Sequence, residues 1–196
     1  SSTILVIFYS TLQNYDFFLN KPKNPFRTWL FRKKSLPLQS HSNFNIMTIR
    51  SYIAAHRDRF LEEWASLIRI PSVSCQPAHK GDMLRCAERW CELLLEAGAQ
   101  KAQIMPSEGH PFVYAEYSPV EVKGERLEVK GEEIPTVLVY SHYDVMPVEP
   151  LELWNSDPWE PSIRDGRLYA RGADDDKGQA MIQVKAFEYL VREGLM

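Results

Sequence analysis

A nearly continuous apolar segment, residues 136–145 (TVLVYSHYDV), leads directly into the polar pair His142 and Asp144. An apolar run of this length predicts a β-strand. Side chains two positions apart on an extended segment point the same way, so the Asp144 carboxylate could accept the second N–H of the His142 imidazole and fix its tautomer. By spacing alone, the pair is compatible with a metal site or with a buried histidine beside a surface aspartate.

A second polar segment, residues 166–179 (GRLYARGADDDKGQ), places three consecutive aspartates at 174–176. Acidic loops of this kind are often only solvated, or they cap a following helix. Three adjacent carboxylates repel one another, however, and a divalent cation relieves that repulsion. Gly172 and Gly178 allow the backbone to bend closely around an ion. Imidazole and carboxylate together favour zinc, although a catalytic zinc takes about three protein ligands and few are available here.

Apolar residues recur at helical spacing in three parts of the chain. The first stripe, from Ile53 to Ile68, predicts a helix that ends before Pro71. The second predicts a helix with Asp82 as its N-cap and Gly98 at its C-terminal stop. A third helix is predicted to begin at about residue 179.

Short apolar runs predict strands at Ala102–Met105, Phe112–Tyr117, Pro135–Tyr140 and Arg167–Ala170. Helices that alternate with strands favour an α/β layer architecture. Residues 121–132 contain EVKGE twice, and the alternation of valine and charge there predicts an exposed hairpin. Ligands of such sheets bind beyond the carboxyl ends of the strands, so residues 141–145 and 171–178 form the candidate site.

Residues 1–46 differ from the remainder of the chain in charge. They carry a net charge of +5, whereas the other residues sum to −8. No sustained period runs through them, and we expect an unstructured extension without packed contact to the domain at 47–196. Three origins are compatible with this composition: an organellar transit peptide, a genuine extension, or upstream sequence translated from a misplaced start. The last is favoured, with Met47 as the natural start.

Composition also limits the class of protein. The net charge of −3 gives no indication of a nucleic-acid partner, and no apolar run reaches the roughly 18 residues of a membrane span. Cys75, Cys86 and Cys91 lack the spacing of metal ligands. Sparse, unpaired cysteines fit a reducing compartment, so we expect a cytoplasmic protein that binds neither nucleic acid nor membrane.

The motif SHYDV at 141–145 and the segment WNSDPWEPSIRDGRLYARGADDDKGQ at 154–179 resemble those of a known enzyme family. This is the family of zinc exopeptidases and amidases that includes carnosinase-like dipeptidases, glutamate carboxypeptidase, aminoacylase and acetylornithine deacetylase. The resemblance runs from about Tyr52 to the end of the chain and is densest over 135–193. The DDKG form and the W-x-x-x-P-W-E-P loop are closest to the dipeptidase branch.

The resemblance implies a role for each matching residue. His142 is expected to ligate one zinc ion, and Asp175 to bridge two. Asp144 is expected to belong to the catalytic machinery by supporting His142 from behind. The other polar residues of the acidic loop are not expected to bind zinc: Asp174, Asp176 and Lys177.

The resemblance also implies what this sequence would contribute to a larger enzyme. It implies the N-terminal part of an α/β catalytic domain with a mixed, mostly parallel sheet flanked by helices. The activity would be hydrolysis of dipeptides or short peptides by water that two zinc ions activate. The family's general base, its remaining ligands and its inserted lid or dimerisation domain are not in this sequence, so we expect the chain to be inactive alone. N-acyl amino acid hydrolysis is the alternative activity, and an inactive fragment is the alternative of another class.

Overall fold

The computed structural model describes residues 3–9, 46–118 and 136–196, with only the backbone given at 3–9. The predicted hairpin at 121–132 and the chain from 10 to 45 lie outside the described residues. The helices are α1 (Ile49–Ile68), α2 (Lys80–Glu96) and α3 (Lys177–Arg192). The strands are β1 (Thr3–Tyr9), β2 (Lys101–Met105), β3 (Phe112–Tyr117), β4 (Thr136–His142), β5 (Ser162–Arg164) and β6 (Arg167–Tyr169).

All three predicted helices are present, with two corrections at their starts. Helix α2 begins at Lys80 with His79 as its N-cap residue, so Asp82 lies in the first turn instead of capping it. A carboxylate there still interacts favourably with the helix dipole, and Asp82 also accepts a contact from Nδ1 of His79 at 2.6 Å. Helix α3 begins at Lys177, two residues before the predicted start, with Asp176 as its N-cap residue. Gly98, with φ of 109°, follows the end of α2 as expected.

The main sheet has four strands in the order β2-β3-β1-β4. Strand β3 pairs antiparallel with both β2 and β1, whereas β1 and β4 are parallel. The sheet is therefore mixed, as expected. Its described strand pairs are mostly antiparallel, which corrects the expectation of a mostly parallel sheet. Strands β5 and β6 form a separate antiparallel hairpin through a turn in which Asp165 and Gly166 both have positive φ.

Strand β1 overturns the expectation that residues 1–46 make no packed contact with the domain. Its backbone lies between β3 and β4, with Val6 opposite Ala115 on one side and Val139 on the other. A central strand forms ladder hydrogen bonds with two neighbouring strands. Those partners lie elsewhere in the chain, so the pattern of residues 1–46 alone could not predict the strand. The prediction is wrong for residues 3–9.

The core lies where α2 and α3 pack against the main sheet, and α1 packs across both helices. Its buried apolar members come from all three helices and from β3; they include Leu67, Met83, Trp90, Leu94, Val113, Val184 and Phe187. Helix α1 and helix α3 are also joined through the buried carboxylate of Glu188. Glu188 accepts hydrogen bonds from Tyr52 Oη at 2.9 Å, from Lys185 Nζ at 2.8 Å and from Arg59 at 2.5 Å.

None of the described helices combines the length and apolar character that crossing a membrane requires.

Candidate metal site at the end of strand β4

The end of β4 and the start of α3 bring the two predicted metal ligands together. Nε2 of His142 lies 3.0 Å from Oδ1 of Asp175. The side chain of Asp175 is 77% exposed and that of His142 is 36% exposed, so both atoms can be reached from solvent. The candidate site therefore lies beyond the carboxyl end of the strand, where the α/β architecture predicts a ligand.

Asp144 lies behind His142, as expected. Nδ1 of His142 is 3.1 Å from the backbone oxygen of Asp144 and 3.3 Å from its Oδ1. The Asp144 carboxylate is buried, whereas Nε2 of His142 faces Asp175. A proton held on Nδ1 by Asp144 leaves Nε2 free to act as a ligand, the arrangement that orients many metal-bound histidines.

The charges around this pair shift both pKa values. The hydrogen bond with Asp144 raises the pKa of His142 to about 9, against a smaller opposing effect of burial. Burial by itself would raise the pKa of Asp144, but hydrogen bonds from His142 and Ser74 bring that pKa below its usual value. In the metal-free protein His142 is therefore protonated at neutral pH, and a metal ion must displace a proton to bind it.

The backbone of the acidic loop is held by Asp176 and by two glycines. Oδ2 of Asp176 accepts a hydrogen bond from the backbone N–H of His142 at 3.0 Å, which ties the loop to the end of β4. Gly172 has φ of 78°, and a Cβ there would lie 2.8 Å from Val145 Cγ1. A Cβ on Gly178 would collide with the carbonyl oxygen of Ala173. Neither position can take a side chain without moving the loop.

Lys177 anchors the same loop from inside the protein. Its side chain is fully buried, and Nζ donates to the carbonyl oxygens of Leu67 at 2.9 Å and Ile70 at 2.7 Å. Leu67 lies in the last turn of α1 and Ile70 just beyond it, at the helix end where the dipole favours a positive charge. Burial lowers the pKa of this ammonium. Lys177 belongs to the acidic-loop motif at 166–179, but the sequence gave no indication that it would donate to these carbonyls.

Asp174, Trp154 and His110 are not placed to act as a third ligand beside His142 and Asp175. Asp174 is exposed, as expected. Trp154 packs in its loop, donating from Nε1 to the carbonyl of Val148 at 2.8 Å, with the Arg171 guanidinium 5.2 Å from the centre of its ring. His110 is half-buried, and its Nε2 is 2.9 Å from the carbonyl oxygen of Ser74.

Ser74 is the residue near the site that sequence reasoning missed. Its Oγ donates to Oδ2 of Asp144 at 2.5 Å. The two residues are 70 positions apart, and a serine in a loop carries no pattern that identifies its partner. The only available signal was its place three residues after Pro71, beyond the predicted first helix, which does not determine a contact.

The donor set fits part of a zinc site. Two atoms bound at about 2.0–2.2 Å to one tetrahedral zinc ion lie roughly 3.3 Å apart, close to the 3.0 Å between Nε2 of His142 and Oδ1 of Asp175. Within residues 46–118 and 136–196, no three or more His, Cys, Asp or Glu side chains are grouped to hold a metal. Imidazole and carboxylate are the ligand types that zinc accepts, so the described residues could supply two of its ligands.

The site and fold have counterparts in a known family of enzymes. Residues 138–196, which include the whole candidate site, match the model of peptidase family M20/M25/M40. The family resemblance inferred from SHYDV and the acidic loop is thereby confirmed.

Two curated proteins illustrate the range of activities among its relatives. A cysteinylglycine-S-conjugate dipeptidase of Corynebacterium striatum is 33% identical over 154 residues, which cover 78% of this chain and 30% of the dipeptidase. A succinyl-diaminopimelate desuccinylase of Xanthomonas euvesicatoria pv. vesicatoria is 48% identical over 61 residues, or 31% of this chain and 16% of that protein. This chain therefore spans less than a third of either relative.

Solved structures give the same assignment of fold. Human carnosine dipeptidase 1 superposes with a TM-score of 0.59 at 27% identity, covering 74% of this chain and 30% of that one. An M20 family metallo-carboxypeptidase of Sulfolobus solfataricus gives a TM-score of 0.55 at 30% identity, covering 70% of this chain and 28% of that one. The chain thus has the fold of the M20 peptidases over the part that it covers.

Proposed function

We propose that this chain supplies the first part of the active site of a zinc-dependent hydrolase that cleaves dipeptides or short peptides. The observation that carries the proposal is the convergence of His142 Nε2 and Asp175 Oδ1 at 3.0 Å, with Asp144 against the far side of the imidazole. The dipeptidase and metallo-carboxypeptidase names of its relatives support the reaction type.

Zinc, when bound, would polarise the scissile carbonyl and lower the pKa of water. The residues of this chain would prepare the site for it. His142 would give up the proton on Nε2 and keep the one on Nδ1, which points at the backbone oxygen of Asp144 at 3.1 Å, with Oδ1 at 3.3 Å. Asp175 would bring a carboxylate to the same point, and its exposed side chain leaves it free to bridge two ions. Asp176 would hold the loop to β4 through the backbone N–H of His142.

N-acyl amino acid hydrolysis is the second candidate activity. It uses the same attack on an amide, with a different pocket around the substrate. The match to a desuccinylase over 61 residues favours it, whereas the dipeptidase match extends over 154 residues. The longer match favours the dipeptidase activity.

An assay of two proteins against two substrate classes tests the proposal. The chain of residues 1–196 and a longer natural protein that contains it would be loaded with zinc and given dipeptides and N-succinyl or N-acetyl amino acids. We expect the longer protein to hydrolyse dipeptides faster than N-acyl amino acids. We expect the chain 1–196 alone to hydrolyse neither. Faster hydrolysis of the N-acyl substrates would favour the second activity. Failure of the longer protein to hydrolyse either class, with or without zinc, would refute the proposed function.

A further inference from the structure

We propose that Ser74 is a positioning residue of the metal site, acting on His142 through the carboxylate of Asp144. This inference rests on the proposed function, because it gives Ser74 a part in holding the zinc ligand. Ser74 lies in the loop between α1 and α2, far in sequence from β4, and it is not one of the proposed ligands.

The contacts of Asp144 place Ser74 in this role. The Asp144 side chain is 7% exposed, and its two oxygens face different partners. Oδ2 accepts from Ser74 Oγ at 2.5 Å, and Oδ1 lies 3.3 Å from Nδ1 of His142. A carboxylate that is held at one oxygen cannot rotate freely, so the hydroxyl of Ser74 sets the direction in which Oδ1 points.

The loop that carries Ser74 is itself fixed to the end of β4. Ser72 Oγ donates to the carbonyl of Tyr143 at 2.7 Å, and the backbone N–H of Val145 donates to the carbonyl of Ser72 at 2.9 Å. On the other side, Nε2 of His110 is 2.9 Å from the carbonyl oxygen of Ser74. Ser74 is thus attached through its neighbours to the segment that it orients, so its hydroxyl occupies a defined position.

Loss of the hydroxyl would leave Oδ2 of Asp144 without this donor in a buried place. Without that donor the carboxylate is free to rotate toward another partner, and such a rotation moves Oδ1 relative to Nδ1 of His142. Partners that orient a metal-bound histidine typically change metal affinity by about 10- to 100-fold when removed. Because Ser74 acts on His142 only through Asp144, we expect its removal to weaken zinc binding by about tenfold, the lower end of that range.

Zinc affinity of the chain 1–196, measured by calorimetric titration, tests the inference with three variants. Ser74→Ala should weaken zinc binding about tenfold. Ser74→Thr retains the hydroxyl and should stay within about twofold of the wild type. Ser72→Ala is the matched control, because it removes a buried serine hydroxyl from the same loop without touching Asp144; it should lower the melting temperature and leave zinc affinity within about twofold.

A second measurement needs no metal. The Nδ1 proton of His142, identified by its absence in His142→Ala, should give a low-field NMR signal that Ser74→Ala broadens or shifts and Ser72→Ala retains. The inference is overturned if Ser74→Ala matches the wild type in both measurements, or if Ser72→Ala has the same effects as Ser74→Ala. If zinc binding persists unchanged in His142→Ala, the proposed function fails instead, and the NMR comparison still decides the role of Ser74.

Discussion

Nε2 of His142 lies 3.0 Å from Oδ1 of Asp175, although 33 positions separate the two residues in sequence. The contact forms because β4 ends at His142 and α3 begins two residues after Asp175. The end of the strand and the start of the helix therefore lie at the same edge of the sheet. Asp176 joins the two segments directly through the backbone N–H of His142. A metal ion at this edge would therefore connect a strand end to a helix start.

The first prediction distinguishes Asp175 from its neighbour Asp174. In a longer, active protein, Asp175→Asn should lower kcat/KM by more than about 100-fold, beyond the effect of removing a partner that only orients a ligand. Asp174→Asn is the matched control, since Asp174 is exposed on the same loop, and it should change kcat/KM by less than about threefold. Equal losses in the two variants would mean that the ligand has been assigned to the wrong aspartate.

The second prediction concerns the backbone of β1. Val6→Pro removes a backbone N–H from a strand that lies between two others, and proline in a central strand also disrupts its pairing. We expect a loss of about 1 to 3 kcal/mol in the free energy of unfolding, the cost of leaving a buried backbone acceptor without its donor, measured by urea denaturation. Val6→Ile keeps the N–H and the apolar, β-branched character, and it should cost much less. If the two variants are equally stable, residues 3–9 do not contribute a strand to the sheet.

Most of the helices and of strands β2, β3 and β4 could be predicted from sequence because each carries a local pattern of its own. Strand β3 was predicted with both ends as observed, from Phe112 to Tyr117. Strand β1 could not be predicted in the same way, since its place depends on partners at 113–117 and 136–142. A six-residue apolar run at 4–9, followed by a long basic stretch, contains no information about which strands it joins.

The residues of the candidate site also differ in whether a local sequence pattern predicts them. His142, Asp144 and Asp175 were predicted from two short motifs that resemble those of the family, and the structure places their side chains close together. Ser74 and the carbonyl partners of Lys177 were missed because their contacts join the end of α1 and its following loop to residues about 70 and 110 positions away. Contacts of that separation depend on packing of α1 against the start of α3, which no local pattern specifies.

The third prediction is the pH dependence of stability due to Glu188. Burial alone would raise the pKa of Glu188, but hydrogen bonds from Arg59 and Lys185 lower it from 4.5 to about 2. A folded-state pKa below the unfolded one stabilises the protein above the unfolded pKa, and that contribution is lost as pH falls through the window between them. We expect stability to fall by up to about 3 kcal/mol from this group between about pH 5 and pH 2.

The variant Glu188→Gln isolates this contribution. It should be less stable than the wild type at pH 7, because Arg59 and Lys185 lose their charged partner, and the difference should shrink toward pH 2. Urea denaturation at a series of pH values gives both curves. Glu160→Gln is a suitable control, since Glu160 pairs with Arg69 at the exposed surface and such pairs contribute little. A wild-type minus Glu188→Gln difference that stays constant from pH 7 to pH 2 would contradict the assignment.

The last prediction is the zinc stoichiometry of the chain 1–196. His142 and Asp175 together offer two ligands, and stable zinc sites hold about four. The pKa of His142 is raised to about 9 in the metal-free protein, so zinc must displace a proton at neutral pH, and affinity should increase as pH rises toward 9. We expect weak binding of one ion at most, abolished by His142→Ala. Titration against a competing chelator under reducing conditions, which keep Cys75 and Cys91 as thiols, measures both number and affinity. Two tightly bound ions per chain would show that further side chains complete the site, with His110 and Asp174 as the first to be substituted.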